Sequence, residues 1–203
     1  MMRTRTGGIV LCGGRSSRMG RPKAWLSIGG EPMIVRVLRS VAAVAEPVVV
    51  VAAVGQELPP LPDRVDVVRD EADGNGPLQG LAAGLAALVG RAGDAVVTGC
   101  DCPLLTPAVL RRLVELRANA SACVTVVDDI PRPLPGAYSL GVLAEVGALL
   151  AAGQLRLGAL LDRFACRLVA PSEFTDIDPQ LLSLLNVNTP DEYARVLTEL
   201  GPP

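Results

Sequence analysis

Residues 7–23 read G-G-I-V-L-C-G-G-R-S-S-R-M-G-R-P-K. Glycines at 13, 14 and 20 allow backbone N–H groups to come close to a ligand. Arg15, Arg18, Arg21 and Lys23 place four cations within nine residues, with Ser16 and Ser17 between them. Backbone donors ringed by fixed cations are what a polyphosphate requires. Two familiar phosphate loops do not fit. A Walker A loop needs Lys-Ser/Thr straight after its second glycine, and here Arg21-Pro22 intervene before Lys23. The dinucleotide spacing G-x-G-x-x-G fails because Gly13 and Gly14 are adjacent.

A second reactive group is Asp101, in T-G-C-D-C-P just past an apolar run. An aspartate in such a place often serves only as a turn former or helix cap. At the carboxyl end of a parallel strand it would instead face the same crevice as the glycine-rich loop. A hard carboxylate beside a polyphosphate implies Mg²⁺, which keeps several waters and takes only one or two carboxylates.

Other chemistries are closed. The chain has no histidine, so Ser-His-Asp and Cys-His nucleophiles are unavailable. A net charge of −2 over 203 residues argues against a broad nucleic-acid surface, and the local cations suit one small anion. The five cysteines are odd in number and mostly in apolar runs, which suits reduced thiols in a cytoplasm. Cys100-x-Cys102 has the wrong spacing for zinc and no second pair to complete it. No apolar run reaches the ~20 residues of a membrane span. No apolar stretch precedes the first strand as a secretory signal would require.

The elements that must position these groups alternate. Ile9-Val10-Leu11 reads as a buried strand. Residues 32–45 carry apolar side chains at helical spacing, with Pro32 in the first turn. Val48 to Val51 form a β-branched run typical of a central parallel strand. Residues 55–62 are a proline-rich connector, 65–70 a strand ending at Asp70, and 73–77 a loop before a helix striped by Leu78, Leu81, Leu85 and Leu88. Gly80 and Gly84 on that helix leave a flat surface for tight packing or for a planar base. Residues 94–100 form a strand, Thr106-Pro107 opens a helix, and 123–127 form a strand ending in Asp128-Asp129. A second proline-rich segment, 131–135, leads to a helix over 142–150, a shorter one over 155–164 and a strand over 166–169. Thr189-Pro190-Asp191-Glu192 is a capping box for a last helix. The pattern predicts one α/β domain over 1–203, built on a doubly wound, mainly parallel sheet.

The loop L-C-G-G-R-S-S-R-M-G-R-P-K resembles the signature L-A-G-G-x-S-x-R-M-G-x-x-K of the MobA-like nucleotidyltransferases, nearest the molybdenum cofactor guanylyltransferases. T-G-C-D-C-P-L-L is similar to that family's P-C-D-x-P-x-L, whose aspartate binds Mg²⁺. V-V-R-D ending at Asp70, G-P-L-Q-G-L-A-A-G-L and N-V-N-T-P-D-E-Y resemble three further family motifs, in the same order. Two positions depart: Cys12 stands for the usual alanine, and Ala52-Ala53 stand where the family commonly has a nucleotide-contacting asparagine.

The resemblance implies a three-layer Rossmann-like fold of the nucleotide-diphospho-sugar transferase type. It implies transfer of GMP from GTP to the terminal phosphate of molybdopterin, with pyrophosphate released. Its implied nucleotide contacts are Leu11, Cys12, Gly13, Gly14, Lys23, Asp70, Gly80 and Asp101. Lys23, Arg18 and Asp101 carry the transfer, Asp101 holds Mg²⁺, and Asn188 supports the acceptor side. Partners are GTP, molybdopterin and molybdoenzyme maturation proteins, with no nucleic acid or membrane. A cytidylyltransferase, or a transferase to another phosphorylated acceptor, is the alternative within this chemistry. A non-catalytic nucleotide-binding protein is the alternative outside it.

Overall fold

Strand β1 (Thr6–Leu11) is the axis on which the sheet is laid out. The computed structural model describes residues 5–13, 19–70 and 76–201. After β1 come a two-stranded ribbon of β2 (Ser27–Ile28) and β3 (Glu31–Pro32), then α1 (Met33–Ala42), β4 (Val48–Ala53) and β5 (Val65–Asp70). Next are α2 (Gly76–Leu88), β6 (Asp94–Gly99), α3 (Pro107–Arg117), β7 (Ala122–Val127) and β8 (Ile130–Ser139). The chain ends with α4 (Leu143–Ala151), β9 (Cys166–Val169) and α5 (Pro190–Leu200). Seven strands form one sheet in the order β5-β4-β1-β6-β8-β7-β9. β5, β4, β1 and β6 are mutually parallel, β8 runs against both its neighbours, and β9 is parallel to β7.

Three layers follow from side-chain alternation. On β4, Val48 and Val50 point into one core with Ile34, Val37 and Leu38 of α1 and Leu110 and Leu113 of α3. Val49 and Val51 point into the other, with Leu78, Leu81 and Leu85 of α2 and Val146 of α4. A strand covered on both faces must be apolar throughout, which is why β4 reads as an unbroken valine run. A third cluster ties α5 to the ribbon through Leu26, Ile28, Met33, Val187 and Val196. Among the described residues, no helix is long and apolar enough to cross a membrane.

Four local expectations change. Residues 131–135 are not a connector but the first half of β8. Proline cannot donate to a ladder, so this half pairs with β7 alone. The ladder then breaks between Val124 and Thr125, and among the described residues Pro133, Leu134 and Pro135 pair with no strand. The phenol of Tyr138 donates to the carbonyl of Pro133 at 2.6 Å within that break. The expected helix over 155–164 shrinks to one 3-10 turn, Leu157–Leu160, whose two buried leucines are three apart as that turn requires. Pro32 lies outside the first turn of α1, extended as its N-cap. Gly76 and Pro77 already belong to α2, while 73–75 lie outside the described residues.

Candidate active site

The carboxyl ends of β1 and β6 are neighbours, with Leu11 opposite Gly99. Beyond them Cys12 donates its N–H to Val51 (2.7 Å), and Cys100 donates its own to Leu11 (2.9 Å). Asp101 follows at once, at the mouth of the sheet as expected. Its side chain curls back over the strand end, and a Cβ on Gly99 would collide with its Oδ1. A side chain at that position would have to displace the Asp101 carboxylate.

Lys23 arrives from the other direction. It opens a single 3-10 turn, Lys23–Trp25, after Pro22. Its Nζ lies 3.1 Å from Oδ2 of Asp101 and donates to Oδ1 of Asn188 at 2.6 Å. The Lys23 and Asp101 side chains are 19% and 22% exposed, enough for a ligand to reach both.

Asn188 is held by the start of α5. Glu192 accepts the backbone N–H groups of Asn188 (2.7 Å) and Thr189 (2.9 Å), and its own N–H donates to the Thr189 hydroxyl (3.2 Å). This is the capping box expected from the sequence. The preceding residue, Val187, donates its N–H to the Asp101 carbonyl at 2.8 Å. The Tyr193 phenol donates to the Ser27 carbonyl at 2.6 Å and fixes α5 to the ribbon beyond Lys23. Three segments far apart in sequence therefore converge on one ammonium group.

The remaining expected residues lie along the same edge. Cys12 and Gly13 continue β1 out of the sheet. Asp70 ends β5 opposite Ala53 of β4, with β4 and β1 between it and β6. The structure thus sets Asp70 on the outermost of these parallel strands, at the same carboxyl edge as Asp101. Gly80 is buried on α2; a Cβ there would meet Leu11 Cδ2 at 3.5 Å and Val51 Cγ1 at 3.8 Å, so its open face lies on the sheet. Gly14 and Arg18 lie outside the described residues.

Sequence reasoning missed Gln56. Its side-chain oxygen accepts the Ala53 N–H at 3.0 Å, and its amide donates to the Cys12 carbonyl at 2.9 Å. The same amide lies 3.4 Å from the Cys12 thiol. Arg69 of β5 holds this turn through the carbonyls of Ala53 (3.1 Å) and Gln56 (2.7 Å). A glutamine in a proline-rich connector carries no spacing signal; only the departure at Ala52-Ala53 hinted that another side chain serves this strand end. A groove of about 930 Å³ opens here, lined by Trp25, Gln56, Glu57, Arg64 and Arg69 among others.

The thiols beneath the loop are paired. A hydrogen bond from Cys100 pulls the Cys12 thiol below its ordinary value, and Gln56 adds to this against burial. Cys100 is pushed up by the same bond and by burial. Burial, then the charge of Asp101, pushes Cys102 up to about 12.

Among the described residues no three His, Cys, Asp or Glu side chains form a metal cage. Among the described residues the crevice offers a cation the Asp101 carboxylate and the Asn188 oxygen, already gathered around a positive charge. One accessible carboxylate suits a hard ion that keeps its waters and completes its shell with ligand phosphates.

A model of the MobA-like NTP transferase domain matches residues 8–166 of this chain. A probable molybdenum cofactor guanylyltransferase of Methanothermobacter thermautotrophicus is 35% identical over 192 residues, covering 90% of this chain and 94% of the relative. Another protein of that description, from Mycobacterium marinum, is 39% identical over 186 residues, covering 90% and 88%. The crystal structure of molybdopterin-guanine dinucleotide biosynthesis protein A from Archaeoglobus fulgidus superposes with a TM-score of 0.78 at 24% identity, over 96% of this chain and 98% of that one.

Proposed function

This chain belongs to the MobA-like NTP transferase family, and from that premise we propose that it moves GMP from GTP to the terminal phosphate of molybdopterin, releasing pyrophosphate. The observation that carries the reading is the convergence of Lys23, Asp101 and Asn188 at the ends of β1 and β6. The acceptor phosphate is the nucleophile, and it is already ionised at neutral pH. A chain without histidine therefore lacks nothing the step needs. What the step needs is alignment of two anions and neutralisation of the charge that grows as the α-phosphorus changes partners.

The residues divide that work. Gly13 and Gly14 offer backbone groups to the nucleotide just after β1, and Leu11 and Cys12, whose own backbone groups are bonded to Cys100, Val51 and Gln56, hold the start of that loop. Lys23, with Arg18 as second cation, draws the phosphates in and offsets their charge. Asn188 restrains the Lys23 ammonium and faces the acceptor side. Asp70 contributes a nucleotide contact from the end of β5, and Gly80 lets α2 lie close on Leu11 and Val51 beneath the loop. Asp101 would hold a divalent ion, which we take to be Mg²⁺, and that ion would supply charge withdrawal from the phosphate oxygens.

Lys23→Ala and Asp101→Ala should each lower kcat/KM by about a hundredfold or more, the scale of losing a charge stabiliser in the transition state. Both should melt within a few degrees of the parent. Near-parental turnover in either variant would remove the role assigned to that residue. Calorimetric titration should rank GTP above CTP; the opposite ranking would make the enzyme a cytidylyltransferase with the same chemistry.

A further inference from the structure

Cys12 is the point at which the chain stops being a strand and becomes the glycine-rich loop. Its N–H still bonds to Val51 of β4, but its carbonyl has passed the end of the ladder. The Gln56 amide takes that carbonyl at 2.9 Å. Gln56 is itself fixed at both ends: its side-chain oxygen accepts from Ala53 and its backbone carbonyl accepts from Arg69.

The consequence lies in the next peptide group. A trans peptide points its C=O and N–H in opposite directions. With the Cys12 carbonyl turned to the β4 side, the Gly13 N–H is turned away from β4. β1 lies between β4 and β6, so this donor faces the side on which Lys23 and Asp101 meet. Were the peptide to flip, a carbonyl oxygen would point there instead and repel phosphate. Gly13 has no Cβ to oppose the flip, so the orientation must be imposed from outside.

We propose that Gln56 is the positioning residue that holds the Cys12–Gly13 peptide with its N–H toward the nucleotide phosphates. The proposal rests on the reading of this crevice as an NTP site. Gln56 touches no reacting atom, so its effect should fall on nucleotide binding rather than on the transfer step.

Two variants test it in the full-length chain with GTP and Mg²⁺. Gln56→Ala removes both bonds. Gln56→Glu keeps an oxygen for the Ala53 N–H but cannot donate to Cys12 at neutral pH, and it preserves the turn should the alanine variant fold poorly. In each, the Kd and KM for GTP should rise about tenfold, the scale of one hydrogen bond that fixes an anion-binding group. kcat at saturating GTP and the KM for the acceptor should stay within about twofold. A fall in kcat with unchanged KM would overturn the positioning role, because general loss of structure lowers the active fraction and not the affinity. Variants that bind GTP as tightly as the parent would also overturn it. A parent chain that binds no nucleoside triphosphate would overturn the reading of the site itself, a different result from a parent that binds beside unaltered variants.

Discussion

The ammonium of Lys23 is shared between oxygens that lie 78 and 165 residues further along the chain. Such a group is oriented before any ligand arrives, and the orientation comes as much from Asn188 as from Asp101. Hydrogen bonds to charged groups contribute about 1.5–3 kcal/mol. Asn188→Ala should therefore cost about ten- to hundredfold in kcat/KM, less than loss of Lys23 itself. Steady-state kinetics beside a melting curve would check this; a drop equal to that of Lys23→Ala would mean that Asn188 touches substrate directly. Lys23 and Asp101 were legible in the sequence because each closes a motif of fixed spacing at a strand end. The partnership of Lys23 with Asn188 was not, since a contact between two loops leaves no periodic trace. Gln56 was hidden for the same reason, and its role emerges only when β4 and β1 are seen side by side.

Among the elements, α2 shows how closely a helix can lie on this sheet. A Cβ on Gly84 would stand 2.6 Å from Cγ2 of Ile9 on β1, and Ile9 is fully buried. Gly84→Ala must therefore lift the helix or displace β1, at a cost of about 1–3 kcal/mol. Gly80, one turn earlier, has ordinary contact distance to Leu11 and Val51. Gly80→Ala should instead stabilise α2 by up to about 1 kcal/mol through helix propensity. Denaturant titrations of the two variants should move in opposite directions; a shared direction would contradict this packing of α2 on β1. The stripe of leucines made α2 readable, and the capping box made α5 readable. β8 was unreadable because three prolines in 131–135 argue against any strand unless a bulge and a one-sided ladder accommodate them. That accommodation depends on β7, which no local window contains.

For the molecule as a whole, the buried weak acids set an alkaline limit. Burial pushes the Cys123 thiol from an ordinary 9.0 to about 12, and burial likewise pushes the Tyr138 phenol well above its ordinary 10.0. Cys100 and Cys102 are raised in the same sense, and Cys12 alone among these groups is lowered. Apart from Cys12, the folded chain keeps these protons at a pH where the unfolded chain has released them. Above pH 9 the unfolded state thus binds fewer protons, and stability must fall as pH rises. The contribution is complete below about pH 9 and is lost progressively toward pH 12, at up to about 1.4 kcal/mol per pH unit for each group. Chemical denaturation should show a midpoint that does not fall between pH 7 and about 8.5 and declines steadily beyond it. Tyr138→Phe provides the internal control. It removes the 2.6 Å bond to Pro133 and should lower stability at pH 7 by about 1 kcal/mol. It also removes one titrating group, so its decline above pH 10 should be shallower and its curve should approach that of the parent. Parallel curves would show that the phenol ionises alike in both states, which a side chain with no exposed surface in the folded core does not permit.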